Sequence, residues 1–216
     1  MLKLDNLAFH YRDAGEEHRY QFNLQADAGE IVGLTGRSGS GKSTCLDLIA
    51  GFLRPTSGAV LVNCEDITQL PPGRRPVTIL FQRNNLFEHM TAAENVALGI
   101  NTSLNLSAPQ KDQVVTAINS VGLEKQSNQL SRTLSGGEQQ RIALARSLVR
   151  GKPVLLLDEP FSALDATVRD EMLLLVRTIV TEKNLIALMV THDISDCDKV
   201  ADRHYILDGD KIEIAG

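Results

Sequence analysis

No apolar run in the chain approaches the roughly 20 residues that a bilayer-spanning helix needs. Positive charge is not in surplus. Lys and Arg number 22 against 27 Asp and Glu, giving a formal net charge of −5, which argues against a broad nucleic-acid-binding surface. Cysteine is scarce: Cys45, Cys64 and Cys197 are widely spaced and odd in number. They fit reduced cytosolic thiols better than a disulfide framework, and a small buried apolar role is expected for all three. Internal repeats and low-complexity segments are lacking too. The opening MLKLDNLAFHYRD meets acidic and polar residues at once, which is not the pattern of a secretory signal. What remains is a chain of 216 residues with 43% hydrophobic and 23% charged residues, ordinary values for a soluble globular protein. The length suits one large α/β domain or two small ones.

Four short apolar runs stand out: residues 30–35, 77–81, 154–157 and 185–190. Continuous apolar runs of this kind predict parallel strands covered on both faces. Helical patterns lie between them at 43–51, 107–122, 137–150 and 166–182, the second opening on a serine cap with proline in its first turn. Alternating strands and helices predict an α/β fold with a mainly parallel sheet. Residues 2–9, 20–26 and 59–63 read instead as antiparallel strands, and 205–214 as a hairpin turning at Asp208-Gly209.

GRSGSGKST, from Gly36 to Thr44, fits the pattern G-x-x-x-x-G-K-[ST] and sits between a predicted strand and a predicted helix. Gly36, Arg37, Ser38, Gly39, Ser40 and Gly41 would turn backbone N–H groups toward phosphate oxygens, with positive potential added by the helix N-terminus. Lys42 would reach the β- and γ-phosphates, and Ser43 would ligate Mg²⁺, with Thr44 following in the helix. This motif alone denotes a nucleotide-phosphate binder. VLLLDEP places Asp158 and Glu159 at the end of an apolar strand. Adjacent carboxylates there repel unless a cation is near. Asp158 is placed to hold Mg²⁺, and Glu159 to polarise an attacking water.

A third feature is less ordinary. LSGG at Leu134 to Gly137 sets two glycines at the start of a helix, where each costs about 1 kcal/mol relative to alanine. Taken with the phosphate loop and the acidic pair, it makes the chain resemble the ATP-binding-cassette ATPase family over nearly its whole length. The resemblance implies the P-loop NTPase fold of that family, with a mainly parallel core sheet, an antiparallel β subdomain and an α-helical subdomain at about 83–140. It implies ATP and Mg²⁺ as ligands. It also gives the glycines a reason: Ser135, Gly136 and Gly137 would press N–H groups and a hydroxyl against a γ-phosphate held by a second copy, in a head-to-tail dimer. The residue that follows is Glu138, where the commonest family form has glutamine. Gln82 resembles the glutamine that touches Mg²⁺ or water, Ser162 to Asp165 the loop crossing the dimer interface, and His192 the histidine contacting the γ-phosphate. Tyr11 resembles the aromatic that stacks on adenine, with Phe9 and Tyr20 as alternatives.

Within the family, TAAENV at Thr91 to Val96 has the pattern of transport members. LPPGRRPVTILFQ, at Leu70 to Gln82, resembles importers handling thiamine, iron, polyamines and sugars. The stretch after His192 leaves no room for the additional C-terminal domain most of those carry, so a single domain over 1–216 is expected. This short build is most similar to the thiamine-import branch. Integral membrane permease subunits, a periplasmic substrate-binding protein and a peripheral position on the cytoplasmic face of the bacterial inner membrane follow from the resemblance, with no nucleic acid. Lipoprotein-release or cell-division cassettes, and soluble ATP switches in DNA repair or translation, are the alternatives. NNLFEH speaks against the first, and the lack of a coiled-coil insert or second cassette against the other. Leu86, Phe87 and Met90 are read either as core or as apolar anchors of a groove for a permease helix.

Overall fold

A computed structural model describes residues 1–11, 19–82, 86–208 and 211–214. The apolar runs form β3 (Ile31–Gly36), β6 (Val77–Leu80), β7 (Val154–Asp158) and β8 (Ile186–Val190). Parallel pairings join β3 to β8, β8 to β7 and β7 to β6. Side chains alternate between faces along each strand. Leu155, Leu157, Ala187 and Met189 enter one buried cluster, and Val154, Leu156, Ile186, Leu188 and Val190 enter the other. These strands read as unbroken apolar runs because both faces are covered.

The first cluster is closed by α2 (Ala92–Ala97), α3 (Ala108–Asn119), α4 (Gly136–Leu148), α5 (Ala166–Glu182) and α6 (Ile194–Val200). The second is closed by α1 (Lys42–Ala50) and the antiparallel strands β1 (Leu2–His10), β2 (Arg19–Ala26) and β4 (Ser57–Val62). The expected terminal hairpin is β9 (Arg203–Asp208) with β10 (Lys211–Ile214); Gly209 of its turn lies outside the described residues. With the two-residue β5 (Glu65–Asp66), the sheet order is β5-β4-β1-β2-β10-β9-β3-β8-β7-β6.

Two helices escape a periodicity reading because they are short: α2 has 6 residues and α6 has 7. Local chemistry makes them. Thr91 and Glu94 form a reciprocal capping box on α2, and Asp193 caps α6 by accepting from the Ser195 N–H at 3.0 Å. The shared buried role expected for the cysteines needs correction. Cys45 and Cys197 are buried, but Cys64 is exposed. It forms, with Asn63, the turn between β4 and β5, where both residues have positive φ (50° and 68°) and both are exposed.

The far end of α1 is held by Arg75, which is 1% exposed. Its guanidinium donates to the carbonyls of Leu48 (2.6 Å), Ile49 (2.8 Å), Thr68 (2.6 Å) and Leu70 (2.9 Å). The negative end of the helix dipole and four carbonyls thus satisfy a buried cation that has no ion-pair partner among the described residues. Sequence spacing gave no sign of it.

Candidate active site

β3 delivers its C-terminal end to the phosphate loop, and α1 leaves from it. The loop can turn this tightly because Gly41, the N-cap of α1, has φ 98°. A Cβ there would lie 2.4 Å from the Tyr20 ring. No side chain caps α1 and no acid lies in its first turn, so its amide end stays open to an anion. Lys42 is buried, and its ammonium donates to the carbonyls of Gly36 (2.8 Å) and Arg37 (2.9 Å). Burial pulls that ammonium below its usual range, against the opposing pull of the Glu159 and Asp158 carboxylates. Ser40 Oγ is buried with no partner among the described residues. A loop carrying an open helix end, a buried cation and an orphaned hydroxyl fits a polyphosphate.

The parallel order β3-β8-β7 brings the other strand ends to the same edge. Asp158 ends β7 opposite Val190 of β8. Burial, and then the Glu159 and Asp47 charges, raise the Asp158 carboxyl, while Lys42 and a hydrogen bond with Ser43 lower it. Two oxygen donors of the kind a hard cation takes therefore sit side by side, with the Asp47 and Glu159 charges close by. Glu159 has a left-handed backbone, φ 43°, held by its N–H donating to the Val190 carbonyl at 2.9 Å. A non-glycine residue in that region stores strain, and such strain concentrates at functional sites. Its carboxylate lies 3.2 Å from Nδ1 of the exposed His192.

Ser38, Gly39, Gly41, Lys42, Ser43, Thr44, Glu159, His192 and Tyr20 line one cavity of about 510 Å³. Gln82 joins this group indirectly. Its amide donates to Ser162 Oγ at 3.1 Å, and Ser162 donates to the Glu159 carbonyl at 3.1 Å. Tyr11 is 40% exposed, edge-on to Phe9 and Tyr20, with its hydroxyl 3.1 Å from Thr44 Oγ1. Tyr20 is buried and stacked on Phe22, and burial raises its phenol above the usual range. Tyr11 is the most exposed of these aromatics; Phe9 is half-buried, and Tyr20, though buried, lines the cavity.

Ser135, Gly136 and Gly137 are not among the residues lining this cavity. They open α4 elsewhere, with Ser135 and Gly136 exposed. Ser135 accepts from the Glu138 N–H, and Glu138 Oε2 takes both the Ser135 N–H (2.9 Å) and the Ser135 hydroxyl (2.8 Å). Gln140 was missed by the sequence reading. It is buried on α4 and donates to the Pro160 carbonyl, tying the signature helix to the turn after Glu159.

A family model described as ABC transporter matches residues 20–162. The thiamine import ATP-binding protein ThiQ of Salmonella choleraesuis is 47% identical over 216 residues, covering 100% of this chain and 90% of that protein. Its counterpart in Chelativorans sp. is 49% identical, covering 100% and 87%, and that of Vibrio cholerae is 44% identical over 214 residues, covering 99% and 88%. A dimeric post-hydrolysis structure of the ATP-binding cassette MJ0796 bound to ADP and Pi superposes with a TM-score of 0.82 at 30% identity, covering 100% of each chain. With its phosphate loop, signature and acidic turn all inside the matched stretch, this chain belongs to the ABC transporter family.

Proposed function

We propose that the chain is the ATP-hydrolysing subunit of an ABC importer for thiamine or thiamine phosphates. The observation that carries the cargo is the full-length likeness, at 44% to 49% identity, to proteins named for thiamine import. The roles proposed for the residues in and around the cavity are those the family resemblance implies. Tyr11 stacks on adenine. The phosphate loop and Lys42 hold the β- and γ-phosphates. Ser43, Asp158 and Gln82 would hold Mg²⁺, whose contribution is to offset phosphate charge. Glu159 orients and deprotonates the attacking water, and His192, beside it, donates to the γ-phosphate. Ser135 to Gly137 serve the ATP of a second copy, so an isolated chain is mainly monomeric and a weak ATPase.

The permease contact is proposed at a groove of about 780 Å³ whose lining includes Phe52, Phe81, Phe87, Met90 and Arg150. Leu86 packs against the core instead. We therefore take Leu86 as core and propose Phe87 and Met90 as the anchors. Residues 83–140 would be the helical subdomain that grips the permease, with Arg83, Asn84 and Asn85 outside the described residues. A periplasmic binding protein would present the cargo on the far side of the membrane, and the chain would sit on the cytoplasmic face. No described helix is long and apolar enough to cross a membrane itself.

Two measurements test this. High-affinity thiamine uptake should disappear in a strain deleted for the gene; unchanged uptake overturns the cargo and leaves the ATPase standing. Glu159→Gln should cut turnover by about a hundredfold or more while ATP stays bound and holds a dimer on size exclusion. Wild-type turnover in that variant overturns the assigned base.

A further inference from the structure

Thr191 and Asp193, the residues on either side of His192, are both held by a charged cluster outside the cavity. Asp196, on α6 and only 4% exposed, accepts from Thr191 Oγ1 at 2.9 Å and from Arg169 at 2.6 Å. The same guanidinium lies 3.1 Å from Asp193. The Asp193 N–H in turn donates to Thr191 Oγ1 at 3.1 Å. Arg169 Nε and Asp196 Oδ1 are buried without partners among the described residues. A largely buried ion pair satisfied only in part adds little to the stability of a fold, since desolvation offsets much of its attraction. Its geometric effect is specific: it fixes the backbone on both sides of an otherwise exposed histidine.

Arg169 lies in the second turn of α5, and the residue before it reaches the signature. A Cβ on Gly137 would lie 2.7 Å from Val168 Cγ1, so the glycine is what lets the two helix starts close together. Asp165 caps α5 by accepting from the Val168 N–H at 3.1 Å. One short stretch, 165–169, thus touches the signature turn on one side and the His192 loop on the other.

We propose that Arg169, paired with Asp196, is a positioning residue for His192 that makes the histidine loop follow the start of α5 and, through Val168, the signature turn. Engagement of this chain's signature by the partner's ATP is thereby reported to the histidine facing its own ATP. The inference rests on the site roles proposed above. The start of α5 and the His192 loop would shift as one body.

The test compares Arg169→Met, Arg169→Lys, His192→Ala and the double variant Arg169→Met/His192→Ala in the full-length chain. Without nucleotide, Arg169→Met should speed amide hydrogen exchange at residues 191–193 and leave the phosphate loop unchanged. ATP affinity of the monomer should stay within about twofold. Turnover should fall on the order of tenfold to a hundredfold, the scale of an ångström-sized misplacement, and cooperativity in ATP should be lost. Arg169→Lys should restore most of the turnover, and the double variant should be no slower than His192→Ala. Wild-type turnover and cooperativity in Arg169→Met, or a double variant much slower than His192→Ala, overturns the proposal. If His192→Ala itself is fully active, the reading of the site fails instead. Should Arg169→Met not fold, Thr191→Val removes only the hydroxyl link to Asp196. The same exchange and turnover changes in it support the clamp, and their absence sinks it.

Discussion

Two helices of this chain begin in serine and glycine, and they finish their N-termini in opposite ways. α1 starts from Gly41 with no side-chain cap, no acid in its first turn and a buried lysine beside it. α4 starts from Ser135 with a complete capping box, in which Glu138 closes on both the amide and the hydroxyl of the cap. The first end leaves its donors to a ligand. The second closes its Ser135 and Glu138 amides with its own side chains and places a carboxylate beside them. A helix N-terminus attracts anions through unpaired N–H groups and its dipole, so the difference predicts a ready site at α1 and, at α4, a site that must exchange an internal partner for an external one.

The largest expected effect comes from breaking the open end. Lys42→Ala should lower turnover on the order of a hundredfold or more and weaken ATP binding by the isolated chain, measured by steady-state kinetics and calorimetry. Ser135→Arg should break the capped end differently. ATP binding by the monomer should stay near normal while turnover falls comparably. Mixing the Lys42→Ala and Ser135→Arg chains should restore single-site activity. A Ser135→Arg chain that loses monomer binding would mean that the capped end belongs to the same site as the open one.

Glu138→Gln sharpens the contrast on a smaller scale. Glutamine keeps the box, because Gln serves as well as Glu at that position. It removes a charge worth about 0.3–1 kcal/mol near a helix start, so ATP-driven dimerisation should tighten about two- to fivefold while the melting temperature falls slightly. The pH dependence has a defined sign. Hydrogen bonds from the Ser135 amide and hydroxyl, the largest influences, hold the Glu138 carboxyl below the usual glutamate range. Its stabilising contribution is therefore full above that range and is lost as the pH falls through the depressed value. The Glu138→Gln protein should lack this part of the acid loss in a thermal-melt series. Phe87→Ala, at a side chain that is 49% exposed and does not line the nucleotide cavity, should change the least in the isolated chain. ATP binding should stay near normal and stability should drop by roughly 1 kcal/mol or less, with thiamine uptake in cells reporting any loss of permease contact.

The legible parts of the site were those in which chemistry and sequence neighbourhood coincide. The loop from Gly36 to Thr44, the Asp158-Glu159 turn and LSGG each carry their meaning in consecutive residues. What joins them does not. Gln82 reaches Glu159 through Ser162, 80 residues further along the chain, and Arg75 finds the carbonyls of α1 26 and 27 residues back. Neither pairing has a period or a motif. The equal treatment of three cysteines failed because Cys64, unlike the other two, lies in the turn between β4 and β5 and is exposed.

By itself the sequence determined the parallel core, because strands buried on both faces must be apolar throughout, and it determined the phosphate loop, because only small residues let amides converge. Tertiary structure alone decided that Tyr20 is buried against Phe22 while Tyr11 is exposed, and that Arg169 reaches Asp196 from another helix. Exposure, hydrogen-bond partners and ion pairs depend on what the folded chain brings from a distance, and local patterning carries no record of it.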